Sequence, residues 1–122
     1  MKYSDEQRLR KIYENATKLL QHVQEKHITR DDLLTDYAMQ WLVTTPLYNI
    51  GEHVYYLSDE LKDKNSNIEW NMIAGLRHRL VHNYDDTNWN IIVDVIFEDL
   101  PVLIDQIKPL LQSPEAEESI IE

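Results

Sequence analysis

The 122-residue chain has no cysteine, two glycines, four prolines and one phenylalanine. The missing thiols exclude disulfides, thiolate metal sites and thiol nucleophiles, and fit a reducing cytoplasm. So little glycine and proline disfavours a loop-rich β architecture and suits helices. Gly51 and Gly75 alone cannot build a glycine-rich phosphate loop of the nucleoside-triphosphate-binding kind. No window approaches the roughly 18 apolar residues of a transmembrane helix. The charged start "MKYSDEQRLRK" lacks the apolar stretch of a secretory signal. A soluble, cytoplasmic protein without membrane association is expected. Positive charge is also scarce, with 12 Lys and Arg against 22 Asp and Glu for a formal net charge of −10. Bulk charge therefore argues against polyanion binding, and any contact with nucleic acid has to be local.

Hydrophobic residues make up 43% of the chain, enough for a real core. One helical domain over residues 1–112 and an acidic tail over 113–122, "SPEAEESIIE", are expected. Ser4 with Gln7 forms a capping box ahead of Leu9, Ile12, Tyr13, Ala16, Leu19, Leu20 and Val23 at helical spacing. That helix should end near "KHITR". Thr29 with Asp32 restarts the chain as a second helix reaching about Lys62. It carries two apolar stripes, Leu34, Tyr37, Trp41 and Tyr48 on one side, and Met39, Val43, Leu47, Ile50, Val54, Leu57 and Leu61 on the other. A helix apolar on two sides needs two partners, so it is central in a bundle or shared with a second chain. Pro46 should kink or split it. After the polar "KDKNSN", Asn67 is expected to cap a third helix from Ile68 that turns Trp70, Ile73, Leu76 and Leu80 inward. Asp86 or Thr87 should cap a fourth, which runs from Trp89 to Leu110 with a local bend at Pro101. The fold class is all-α, an up-down bundle of four main helices.

The segment "RHRLVHNY", residues 77 to 84, is the densest cationic spot in this acidic chain. His78 and His82 stand four apart, as zinc ligands sometimes do, but no carboxylate completes an H-E-x-x-H pair. Neither a metal nor another cofactor is expected. His22, His27 and His53 read as surface or helix-end residues. Arg77, His82 and Tyr84 remain: a fixed cation, a titratable group and a phenol. Arginine holds a phosphodiester through paired donors, and histidine exchanges protons around neutrality. Together they suit attack by a ribose 2′-hydroxyl on its own phosphate, which needs a base, an acid and a cation but no metal. A helix C-terminus, with Asp85 and Asp86 nearby, favours the protonated His82. Five residues turn an ideal helix through roughly 140° beyond a full turn, so Arg77 and His82 do not share one face. Two copies meeting on a two-fold axis would assemble two arginines and two histidines into one groove. A purely structural reading stands beside this one: Arg77 and Arg79 pair with carboxylates, and His82 bonds a carbonyl.

The pattern R-x-x-x-x-H-x-Y resembles the signature of the HEPN superfamily. With it, "YNIGEHVYYLSDEL", "IEWNMIAGLRHRLVHNYDDTNW" and "IFEDLPVLIDQIKPLL" resemble the HepT-like toxin branch, in order, across roughly residues 4 to 111. The resemblance implies a homodimeric helical bundle whose paired motifs form a metal-independent endoribonuclease. It also implies a toxin paired with a small nucleotidyltransferase antitoxin of the MntA type. Carried over, Arg77 positions the scissile phosphate, His82 is the acid/base, and Tyr84 is the tyrosine that the antitoxin adenylylates. His78 stands where the family commonly has Asn or Asp. It is then a hydrogen-bonding neighbour, a second proton-transfer group, or a mark of altered nuclease activity. The competing expectation is a non-catalytic module that binds nucleotide or RNA, or that docks the nucleotidyltransferase.

Overall fold

A computed structural model describes residues 3–82 and 87–111, with side chains over 3–80 and 87–111. It is an all-α bundle, with no strand among the described residues. Its long pieces are α1 (Asp5–Glu25), α3 (Tyr37–Tyr55), α5 (Trp70–His82) and a C-terminal run. That run consists of α6 (Trp89–Asp94), a π-helical turn (Val95–Asp99) and α7 (Leu100–Ile107). Two short helices, α2 (Arg30–Thr35) and α4 (Asp59–Lys64), connect them.

The predicted capping box at Ser4 forms, and Thr29 with Asp32, where a helix was expected to restart, forms a second. Ser4 Oγ accepts from Gln7 N at 3.1 Å while Gln7 Oε1 accepts from Ser4 N at 2.8 Å. Thr29 and Asp32 exchange the same pair of bonds at 3.0 and 2.9 Å. Between them α1 ends in a Schellman motif. His27 takes φ 53, Ile28 N donates to Val23 O at 2.9 Å, and His27 N donates to Gln24 O at 3.2 Å. Ile28 and Val23 are both buried.

The predicted second helix is instead three pieces. Asp36, in extended backbone, ends α2 and caps α3, its Oδ1 accepting from Ala38 N at 2.9 Å. Ser58 caps α4 and is tied to the start of α1, its N donating to Asp5 Oδ1 at 2.9 Å. Pro46 lies inside the continuous α3; the chain divides where side chains can cap the ends rather than where a donor is missing. Helix α5 begins at Trp70, two residues after the expected start, with the Trp70 indole donating to Asn65 O at 3.0 Å. Asn88 rather than Thr87 caps α6, its Oδ1 accepting from Asn90 N at 3.1 Å; Asp86 lies outside the described residues. Thr87 Oγ1 donates to Arg79 O at 3.1 Å. The bend expected at Pro101 is a π turn just before it, where Leu100 N donates to Val95 O. Proline offers no N–H to Phe97, so a register shift upstream absorbs the lost bond. Arg30 spans this turn, reaching Asp94 at 2.8 Å and Glu98 at 2.6 Å.

Val43, Leu47, Ile50, Val54 and Leu57 enter a core with Ile12, Leu33, Ile73, Leu76, Leu80, Ile92, Ile96, Leu100 and Ile107. No polar or charged residue is buried among those described. The other stripe stays largely outside: Tyr37 is 65% exposed and Trp41 57%, their ring centres 4.8 Å apart, with Leu34 also exposed. Tyr48 packs partly against the core. No described helix is long and apolar enough to cross a membrane.

Candidate functional site

The site is built where α3 and α5 cross. Gly51 faces the backbone of α5: a Cβ there would sit 2.9 Å from Arg77 N, 3.2 Å from Ile73 O and 3.2 Å from Leu76 Cβ. Only a residue without a side chain admits that approach. It brings the next residue, Glu52, beside Arg77, with Oε1 2.9 Å from Nε. This contact is an ion pair without a directed hydrogen bond: Oε1 is inaccessible to solvent, and no N–H among the described residues points at it. The two side chains are 29% and 32% exposed. The guanidinium also lies over the ring of Tyr55, 4.1 Å from its centre, and 5.6 Å from that of Tyr56. Burial works against the Arg77 charge, but Glu52, Tyr56 and Tyr55 outweigh it and raise the pKa above its ordinary value. Arg77 is a permanent cation, oriented by one carboxylate and one aromatic face.

His78 and Arg79 follow on the exposed side of α5. His82 closes the helix; its side chain, and the whole of Tyr84, lie outside the described residues. Of the predicted site residues, Arg77 and His78 have described side chains; Arg77 packs against Glu52 and Tyr55, and His78 is exposed. Among the described residues no cluster of three His, Asp or Glu could hold a metal.

The sequence reading did not single out Glu52, Tyr55 and Tyr56, nor a second cation next to them. Arg8 of α1 places Nη1 3.1 Å from His53 Nδ1 and lies over the rings of Tyr3 and Tyr56, 5.3 and 5.1 Å from their centres. His53 sits in the last turn of α3, a helix-end position as expected, but it is engaged rather than solvated. Burial, then the charges of Arg8 and Lys11, push its pKa below 6.5 against a smaller pull from Glu52. The neutral ring offers Nδ1 as an acceptor. The available signal was "GEHVYY": a glycine on the core side of a helix marks a close crossing, so the residues after it flank the neighbouring helix.

The class so defined is an all-α helical bundle with an arginine fixed at a helix crossing, five residues before the histidine that closes the same helix. More particularly, residues 7–110 match the family model described as "Ribonuclease HepT-like", and the chain belongs to that family. It is 36% identical over 87 residues to the protein named "Putative RNase TTE0752" from Caldanaerobacter subterraneus subsp. tengcongensis, covering 71% of this chain and 78% of that one. It is 30% identical over 107 residues to "Putative RNase MJ0127" from Methanocaldococcus jannaschii, covering 88% and 87%. No solved structure matches.

Proposed function

We propose that the chain is the endoribonuclease toxin of a toxin–antitoxin pair, and that it cuts RNA as a homodimer without a metal. The observation that carries this reading is the setting of Arg77. Glu52 Oε1 lies 2.9 Å from its Nε, Glu52 is the one carboxylate in an ion pair with it among the described residues, and on this reading the terminal Nη edge faces substrate. That edge is the one that grips a phosphodiester with two parallel donors. His82, in the last turn of the same helix, is the proton-transfer group. In the groove of a dimer one histidine takes the proton of the 2′-hydroxyl as its oxygen bonds to phosphorus. The other protonates the departing 5′-oxygen, leaving a 2′,3′-cyclic phosphate and a 5′-hydroxyl. Arg77 balances the charge that builds on the phosphoryl oxygens.

The dimer is supported by the exposed stripe on α3. Trp41, Tyr48 and Tyr55 recur every seven residues and so line one face of the helix, and that face ends under Arg77. A second copy packed along it would bring two Arg77 side chains together. We propose in addition that a nucleotidyltransferase antitoxin inactivates the chain by adding AMP to Tyr84, which would offer Arg77 a phosphodiester in place of substrate.

The test is cleavage of a defined RNA in the presence of a chelator. Wild type should cut it and leave a cyclic phosphate, and a single 2′-deoxy substitution at the cut should block the reaction. His82→Ala should lower the rate by about 10²- to 10⁴-fold with the fold intact. Cleavage of the deoxy-substituted strand, or dependence on an added metal, refutes the mechanism.

A further inference from the structure

Arg8 and Arg77 meet on one tyrosine but differ in how their charges are met. Arg77 has Glu52 at 2.9 Å. Arg8 has no carboxylate within ion-pair distance among the described residues, where Arg10, Arg30, Lys64 and Arg77 all do. Its neighbours are the imidazole of His53 and the rings of Tyr3 and Tyr56, with Tyr3 itself edge-on to His53 at 5.4 Å. An aromatic face steadies a cation without neutralising it, and a neutral imidazole adds no negative charge. Around His53 the positive charges of Arg8 and Lys11 act more strongly than the negative charge of Glu52, which is paired with Arg77. In a chain with a net charge of −10, an arginine clamped by uncharged groups is a place where positive potential survives.

Its position relates it to the site. Arg8 Cζ is 5.1 Å and Arg77 Cζ 5.6 Å from the same Tyr56 ring centre, so the two guanidiniums cannot be more than about 10.7 Å apart. Neighbouring phosphates of one extended strand can reach both. We propose that Arg8 is a second phosphate-binding site, holding a phosphate next to the one at Arg77 on the same single-stranded RNA. This rests on the ribonuclease reading above and adds the direction in which the strand leaves the scissile linkage, across Tyr56 towards α1.

The experiment is an anisotropy titration of a short single-stranded RNA, 2′-O-methylated throughout so that it cannot be cut, over a series of salt concentrations. Arg8→Gln should weaken binding about tenfold and reduce the slope of log K against log salt by about 0.7, the contribution of one phosphate contact on a single strand. Arg8→Lys keeps the charge and should keep the slope. If Arg8→Gln has the wild-type slope, or if both variants lose affinity with the slope unchanged, Arg8 is a packing residue and the proposal is overturned while the ribonuclease reading stands. If wild type neither binds this RNA nor cuts the unmodified one, both fall together.

Discussion

The two glycines offer a paired test of the crossing that builds the site. Alanine is favoured over glycine in a helix interior by about 0.8–1.0 kcal/mol, and by propensity alone both Gly51→Ala and Gly75→Ala should stabilise. At Gly75 nothing lies within 4 Å of the added methyl, so that gain should appear in full. At Gly51 the methyl would meet Arg77 N at 2.9 Å, with Ile73 O and Leu76 Cβ at 3.2 Å. Two of those atoms are backbone and cannot swing aside, so α5 itself must move. Overpacking of that kind costs roughly 1–3 kcal/mol, and the upper part of that range outweighs the propensity gain. Gly51→Ala should therefore destabilise by about 1–2 kcal/mol, opposite in sign to Gly75→Ala. Urea unfolding of the two variants and wild type measures both midpoints. A Gly51→Ala protein as stable as Gly75→Ala would mean that the helices are not in contact there, and the pairing of Glu52 with Arg77 would lose its structural basis.

Two further outcomes follow from local geometry. His27 holds a left-handed conformation at the end of α1; His27→Gly should stabilise by roughly 0.5–1 kcal/mol in urea, the relief of about 1–2 kcal/mol for the L-residue less the entropy glycine loses on folding. His53 binds its proton less readily folded than unfolded, so its contribution to stability is present above pH 6.5 and is lost as pH falls through its lower folded value. Between pH 7.5 and 5.5 wild type should lose more stability than His53→Gln, and an NMR titration that finds the imidazole at or above 6.5 would contradict this.

The buried stripes of α1, α3, α5 and the C-terminal run are legible because helical periodicity reports which face a residue shares. The two capping boxes are legible because their chemistry is local. Periodicity is blind to a break of one residue, and so Asp36 hid inside an apparently continuous pattern although its side chain ends one helix and starts the next. The start of α5 depends on the Trp70 indole reaching Asn65 O, a bond that no propensity reports. At the site, Arg77 stands out as part of a dense cationic segment. Glu52 and Tyr55 come from another helix, and Arg8 reaches His53 across 45 residues. Such partners become visible only once the crossing at Gly51 is known.

That crossing also reconciles an acidic chain with a polyanionic substrate. A net charge of −10 supplies no bulk attraction, so RNA binding as proposed depends on cations whose charge persists at contact distance. Arg77 is held by a carboxylate that orients it and partly cancels it, which suits a group that must meet charge as it develops rather than hold ground-state substrate tightly. On the reading proposed above, Arg8, oriented by an imidazole and two rings, holds ground-state RNA. Division of labour between the two follows from their partners: removing the Arg8 charge should act on affinity, and removing that of Arg77 on the rate of the bound complex.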